Sequence, residues 1–306
     1  MLAEDDDLPE LDILLWGYRT GYFARHNELH LEGGHLVTAL ESRVREENDI
    51  VLVGHSMGGL VILKGLVDRM GVKGAYGPPC HAVTWISLFA TPLTGVWLAG
   101  LARDWLALPL RLLRGVHKHL HDLRKGEFVD RLMQEVRRRI YEPVNDNEFC
   151  RRIPLRIIAA TRDRAVDRAD RDFALAPYTN PPVQQLDESH ISVKLPRDHE
   201  DQRYKVLVVD LHKGLSRTFK RLASAAVDVN STEVDRRLAL FEMTKRYGKI
   251  IRRRVRDRVG PLELRHEAEN QVLLQLAIYG ADYDLPPYIL VDRAIEALAQ
   301  RRPDWR

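Results

Sequence analysis

The chain has few cysteines, no long uncharged apolar run and little net charge. Its two cysteines, Cys80 and Cys150, are too few for the disulfide framework of a small secreted protein. The segment that comes closest to a transmembrane helix, residues 96–113, is interrupted by three charged side chains. The first ten residues are acidic and lack an apolar core, so no signal peptide is expected. These absences favour a cytoplasmic location.

The net charge of +3 is too small to indicate a nucleic-acid-binding protein. The basic run from Arg252 to Arg256 is interpreted as the solvated face of a helix. His117, His119 and His121 are followed by Asp122, but only His117 and His121 share a helix face, and no further ligand motif accompanies them. We therefore predict neither a metal site nor a cofactor.

Short apolar segments alternate with helical patterns over the first 225 residues. The predicted strands are residues 12–16, 50–53, 82–90, 155–160 and a weaker one at 183–186. Helices are predicted near residues 27–47, after Ser56, and at 203–222. Because the strands are almost wholly apolar, they predict an α/β fold, with a mostly parallel sheet covered by helices on both faces.

The most informative motif follows the strand at 50–53. Gly54-His55-Ser56-Met57-Gly58 fits the pattern G-x-S-x-G and stands between that strand and a helix. Such a turn holds a serine in a strained conformation with its hydroxyl exposed, and the two glycines avoid clashes that a Cβ would make. The helix start also presents N–H groups that suit an oxyanion. Ser56 is therefore the candidate nucleophile.

A nucleophilic serine needs a histidine base, and the base needs a carboxylate. In doubly wound hydrolases these three residues follow one another along the chain in the order Ser, Asp or Glu, His. Asp163 comes three residues after the strand ending at Ala160, and His190 comes just after the weak strand. Other acids close enough to replace Asp163 are Asp167, Asp170 and Asp172. His199 is the nearby alternative base, whereas His55 is expected to pack beside the nucleophile.

The chain resembles the serine esterases of the α/β-hydrolase superfamily, which are related to lipase-like and GPI-inositol-deacylase-like hydrolases. The resemblance covers roughly residues 10–222 and rests on five motifs in order: WGYRT at 16–20, VGHSMGGLVI at 53–62, ATPLTG at 90–95, ATRDRAV at 160–166 and SHISVKLP at 189–196. It implies the nucleophile Ser56, the acid Asp163 and the base His190. It further implies that the backbone N–H of Met57 is an oxyanion donor.

Two departures from the family pattern affect the expected activity. Leu93 stands where the family has a histidine after Thr-Pro. The family also has an earlier strand ending in His-Gly, whose loop supplies the second oxyanion N–H. The resemblance implies that this strand is missing, which leaves a truncated translation or a weakened enzyme as the two explanations.

Two further regions are predicted beside the core of the hydrolase domain, which spans residues 1–225. A mainly helical insertion at 93–141 either covers the sheet or, through its apolar side chains at 93–113, lines an acyl pocket or contacts a membrane. Residues 226–306 form a helical C-terminal region. Its first helix follows a capping box of Thr232 and Asp235, with Val234, Leu238, Phe241 and Ile250 facing inward.

We predict a serine hydrolase that cleaves carboxylic esters, of small molecules or of lipids, through an acyl-enzyme. The alternative is a catalytically weakened or inactive hydrolase-fold module whose C-terminal helices bind a protein partner. The C-terminal helices carry no recognisable site chemistry, so covering the sheet, dimerisation and partner binding all remain open for them.

Overall fold

The computed structural model describes residues 1–17, 26–43, 49–70, 80, 82–93, 127–142, 153–162, 175, 178–179, 183–260, 262–282 and 285–305. Two compact units divide the chain: Trp16–Asp210, the sheet unit, and Met1–Leu15 with Leu211–Arg306, the helical unit. The domain boundary predicted near residue 225 stays a prediction. Within the described ranges, no helix combines the length and the apolar character needed to cross a membrane.

The described part of the sheet unit contains one parallel sheet in the order β1-β2-β3-β4. Its strands are β1 (Ile50–His55), β2 (Val83–Phe89), β3 (Leu155–Ala160) and β4 (Gln184–Leu186). Every residue of β2 and β3 is buried, which is why these strands appear as apolar runs in the sequence. The predicted α/β fold with a parallel sheet is confirmed.

Four described helices begin in the sheet unit. They are α1 (His26–Glu41), α2 (Met57–Met70), α3 (Glu127–Val136), which continues as a π-helical turn over Arg137–Tyr141, and α4 (Gln202–Gly214). Helices α1 and α2 pack closely at two glycines, because a Cβ on Gly33 would lie 2.8 Å from the backbone nitrogen of Gly65. The chain passes from the sheet unit to the helical unit within α4.

The strand predicted at residues 12–16 is wrong, since residues 11–17 have no regular secondary structure. Leu15 is 89% exposed and Ile13 is 49% exposed, so this apolar run has no cover. The residues just before it are held in the helical unit, where Leu8 is buried and the Glu10 N–H donates to the Arg246 carbonyl. An apolar run becomes a strand only where a neighbouring strand accepts its hydrogen bonds.

The single closing helix predicted at 203–222 is also wrong, because the structure has two helices there. Helix α4 ends at Gly214 and α5 (Ser216–Val227) begins after Leu215. Leu215 has a φ of −88° and a ψ of 1°, which interrupts the helical backbone. Gly214 precedes the break and is a poor residue for a helix interior.

The helical unit contains α5, α6 (Glu233–Arg258), α7 (Leu262–Asp282) and α8 (Pro287–Arg301) among its described residues. The predicted capping box at the start of α6 is confirmed. The Asp235 N–H donates to Thr232 Oγ1 at 3.1 Å, and the Thr232 N–H donates to Asp235 Oδ2 at 3.2 Å. This exchange satisfies two of the backbone donors that a helix start leaves unpaired.

The predicted inward face of α6 is wrong for three of its four residues. Val234, Leu238 and Phe241 are 73%, 58% and 64% exposed, whereas Ile250 is buried. The buried stripe instead consists of Ala239, Met243, Tyr247, Ile250, Ile251 and Val255. Both stripes have helical spacing, and the second one faces the core that α5, α7 and α8 build.

Candidate active site

The turn after β1 has the geometry of a nucleophile elbow. Ser56 has a φ of 54°, in the left-handed region that few non-glycine residues adopt, and α2 begins at the next residue. The Ser56 N–H donates to the Phe89 carbonyl of β2 at 2.9 Å, and its own carbonyl accepts from the Gly59 N–H at 3.1 Å. These two bonds stabilise the strained turn from both sides.

Two glycines allow this turn to pack. A Cβ on Gly54 would lie 2.7 Å from the Cα of Gly59, so the prediction for Gly54 is confirmed. Gly59 is an additional requirement, because its Cβ would lie 2.1 Å from Oγ1 of Thr91. Thr91 follows Ala90, which has the other positive φ found among the described non-glycine residues, 44°. Thr91 of the ATPLTG motif therefore packs directly against the start of α2.

The structure brings the predicted nucleophile and base together. His190 Nε2 lies 2.9 Å from Ser56 Oγ, although 134 residues separate them in the chain. Ser56 follows β1 and His190 follows β4, and the carboxyl ends of parallel strands lie at one edge of a sheet. A distance of 2.9 Å is within hydrogen-bond reach for proton transfer from the serine hydroxyl to the imidazole.

The loop that carries His190 is held by polar contacts within the loop and with Arg203 of α4. Ser192 Oγ donates to Glu188 Oε2 at 2.6 Å, and Arg203 Nη1 donates to the Ser192 carbonyl at 2.6 Å. Arg203 also pairs with Glu188 at 3.3 Å and with Asp201. Its hydrogen bond holds the pKa of Asp201 well below the usual range, so that pair stays ionised. The loop is therefore anchored at several points.

His55 contacts both the backbone and the ring of the base. Its Nε2 lies 2.7 Å from the main-chain carbonyl oxygen of His190, and the two imidazole rings are 4.9 Å apart between centroids. A carbonyl oxygen can only accept, so Nε2 of His55 must carry the proton. The sequence placed His55 beside the nucleophile, but nothing in the sequence indicated this bond to a distant loop.

Other predicted site residues have different outcomes. Asp163 lies outside the described residues, as do Asp167, Asp170, Asp172 and the histidine cluster at 117–121 with Asp122. His199, the alternative base, is exposed and stacks on Tyr204 with ring centroids 4.9 Å apart. Met57 is the first residue of α2, and the first N–H groups of a helix have no partner within it. Its N–H is therefore suitable for an oxyanion.

A buried polar cluster lies on the strands that lead to the site. Arg156 of β3 pairs with Asp210 of α4 at 2.7 Å, and Ser87 of β2 donates to Asp210 at 2.6 Å. Arg156 Nη1 also donates to the side chain of Gln184 in β4 at 2.9 Å. Burial lowers the pKa of Arg156, while the Asp210 carboxylate opposes that shift. The cluster ties three strands to α4.

Among the residues that the structure describes, no three His, Cys, Asp or Glu side chains are grouped so that they could hold a metal ion. The described site presents a serine, an imidazole and the N–H groups at a helix start. These groups suit attack on a carbonyl carbon.

One comparison with known proteins finds a family for the chain. A family model described as the alpha/beta hydrolase family matches residues 17–229. That range includes all four described strands, Ser56 and His190. No match is found among the curated proteins. Because the family model covers more than half of the chain, the chain belongs to the α/β-hydrolase family.

Proposed function

We propose that this protein is a serine hydrolase that cleaves carboxylic esters through an acyl-enzyme. The observation that carries the proposal is the 2.9 Å distance between Ser56 Oγ and His190 Nε2, with Ser56 held at a positive φ. A hydrolase-family chain needs a nucleophile with a base in reach, and this pair supplies both.

The proposed reaction has two halves. His190 accepts the Ser56 hydroxyl proton as Oγ attacks the ester carbonyl carbon, and the Met57 N–H donates to the resulting oxyanion. When the tetrahedral intermediate collapses, the C–O bond breaks and His190 returns its proton to the leaving alcohol. Water then attacks the acyl-enzyme with His190 again accepting a proton, and Ser56 is regenerated. Asp163 is the proposed carboxylate that orients His190.

Labelling with a fluorophosphonate probe tests this proposal. Wild-type protein should be labelled at Ser56, whereas Ser56→Ala and His190→Ala should not be labelled detectably. His199→Ala is the matched control and should be labelled at the wild-type rate, because His199 is exposed and stacks only on the described Tyr204 ring. Asp163→Asn should slow labelling more than Asp167→Asn, and the reverse order would assign the acid to Asp167.

Among carboxylic esters, we propose a lipid ester as the substrate. Ile191 and Leu195 flank the base loop and are 64% and 57% exposed, so they offer apolar contact to a substrate bound at His190. Relatedness to lipase-like and GPI-inositol-deacylase-like hydrolases is part of the same proposal. A series of p-nitrophenyl esters from acetate to dodecanoate should show kcat/KM rising with acyl length, and a flat series would contradict it.

The alternative proposal is an inactive hydrolase-fold module that binds a protein partner through its C-terminal helices. The exposed apolar side chains Val234, Leu238 and Phe241 on α6 favour it. The same labelling experiment separates the two proposals, because a folded wild-type protein that reacts with no probe would leave only this alternative.

A further inference from the structure

Two neighbouring residues of the elbow contact the same residue of the base loop. Ser56 Oγ lies 2.9 Å from the imidazole of His190, and His55 Nε2 lies 2.7 Å from the main-chain carbonyl of His190. One contact reaches the side chain and the other reaches the backbone. His190 therefore cannot move away from the nucleophile without breaking both bonds.

This second bond differs from the other contacts that hold the base loop. Arg203 anchors the loop to α4, through Glu188 and the Ser192 carbonyl. Proton transfer depends on the distance between His190 Nε2 and Ser56 Oγ, however, and Ser56 directly follows β1. Of the contacts described for this loop, only that of His55 joins the His190 backbone to the strand that carries the nucleophile.

We propose that His55 is a positioning residue for the reaction: its Nε2–H holds the His190 backbone so that the imidazole stays within proton-transfer distance of Ser56. This inference rests on the proposed serine hydrolase function. Misplacing a catalytic group by about 1 Å costs on the order of 100-fold in rate, so loss of this bond should lower kcat. KM should change little, because the contacts described for His55 are with the base.

Four variants separate the hydrogen bond from simple packing. His55→Phe keeps a ring beside His190 but has no donor. His55→Gln has an amide nitrogen at about the position of Nε2 and keeps the donor. His55→Asn has the same amide on a shorter side chain, so it fills less space and its donor falls short of the carbonyl. His35→Phe is the control, since His35 is a largely exposed histidine of α1.

The experiment measures the second-order rate of fluorophosphonate labelling and the kcat and KM for an ester, with folding checked by circular dichroism. We expect His55→Phe and His55→Asn to lose about 10- to 100-fold in labelling rate and kcat. His55→Gln should recover most of that loss. The inference is wrong if folded His55→Phe and His55→Asn react at the wild-type rate, or if His55→Gln loses as much as they do.

These failures are distinguishable from failure of the proposed function. A wild-type protein that is not labelled contradicts the serine hydrolase itself, whereas an effect confined to the variants concerns only His55. Histidine-ring ¹⁵N NMR gives a readout that does not require activity. The ring signals lost in His55→Gln should report protonation at Nε2, and a tautomer protonated only at Nδ1 would overturn the inference.

Discussion

The two units of this chain arrange their charges differently. In the sheet unit, Arg156 and Asp210 form an ion pair whose side chains are 6% and 0% exposed. In the helical unit, residues 1–15 carry six acidic and no basic side chains, while residues 211–306 carry 19 Lys and Arg against 13 Asp and Glu. There the ion pairs of Asp6 and Asp7 with α6 are all partly exposed.

This difference decides how much each charge contributes. A buried pair depends on both partners, because a single charge left in a dry interior is very costly. Partly exposed pairs are screened by water, so each one contributes little even between two segments with formal charges of −6 and +6. The basic run of α6, which the sequence assigned to a solvated face, is partly covered by the acidic residues of the chain's own first segment.

Loss of the buried ion pair should have the largest effect on the free energy of unfolding. Asp210→Asn should lower the free energy of unfolding by about 3–5 kcal/mol, because Arg156 remains charged and buried without its carboxylate. Asp6→Asn is the matched control in the helical unit and should cost less than about 1 kcal/mol. Urea denaturation measures the free energy of unfolding of both variants. Similar losses for the two would contradict the difference between buried and partly exposed ion pairs.

A buried histidine in the helical unit should make the stability of the protein depend on pH. His212 is 2% exposed, and neither ring nitrogen has a hydrogen-bond partner among the described residues. Burial lowers the pKa of His212 to about 4, although Asp5 and Asp7 oppose the shift. The unfolded chain therefore binds a proton below about pH 6.5 that the folded chain does not bind until about pH 4.

The free energy of unfolding should accordingly fall as the pH drops from 6.5 to 4, by on the order of 3 kcal/mol from this residue. Above pH 6.5 the ring is neutral in both states, and this loss of stability is absent. His212→Phe removes the titrating group and should flatten the curve over this window. His35→Phe, which changes an exposed histidine, should leave it unchanged. Equal slopes for wild type and His212→Phe would contradict the assignment.

Substitution of one closely packed glycine in each unit tests how tightly the interior of that unit is packed. A Cβ on Gly54 would meet backbone atoms of Gly59 at 2.7 Å, and a Cβ on Gly280 would meet the Phe219 ring at 2.6 Å. We expect Gly54→Ala and Gly280→Ala each to cost about 1–3 kcal/mol in urea denaturation. Gly54→Ala should cost more, because backbone cannot move aside as a ring can, and it should also slow probe labelling.

Gly34→Ala is the control for both glycine variants. Gly34 lies inside α1 with no atom within 4 Å of its added Cβ, so alanine should stabilise the protein by about 0.5–1 kcal/mol. A destabilised Gly34→Ala would show that the costs at Gly54 and Gly280 reflect helix or turn backbone rather than close packing.

The smallest expected effect concerns the exposed side of α6. Leu238→Ala should change the free energy of unfolding by less than about 0.5 kcal/mol, since Leu238 is 58% exposed. Ile250→Ala, on the buried side of the same helix, should cost about 2–5 kcal/mol. If Leu238→Ala costs as much as Ile250→Ala, the inward face predicted from the sequence would be correct after all.

Much of the sheet unit was predictable from local patterns. Central strands of a parallel sheet are mostly apolar, so β1, β2 and β3 were found within one or two residues. The elbow was predictable because its glycines and serine lie within five positions of the chain. Asp163 lies outside the described residues and stays a prediction, as does the oxyanion role of Met57.

Amphipathic patterns were less reliable. On α6, apolar residues with helical spacing lie on more than one side, and the packing of α5, α7 and α8 selects the side that contains Met243 and Tyr247. Residues 12–16 have a strand-like composition but no neighbouring strand among the described residues. In both cases the outcome depends on residues that are distant in the chain.

The sequence alone determined the parallel α/β fold, the elbow at Ser56 and the capped start of α6, because each depends on residues that are close together in the chain. The tertiary structure decided that His190 reaches Ser56, that His55 bonds to the His190 carbonyl, and that Asp210 pairs with Arg156. These contacts span 54 to 135 positions. Side chains so far apart meet only when the strands and helices between them pack, and no local pattern records that geometry.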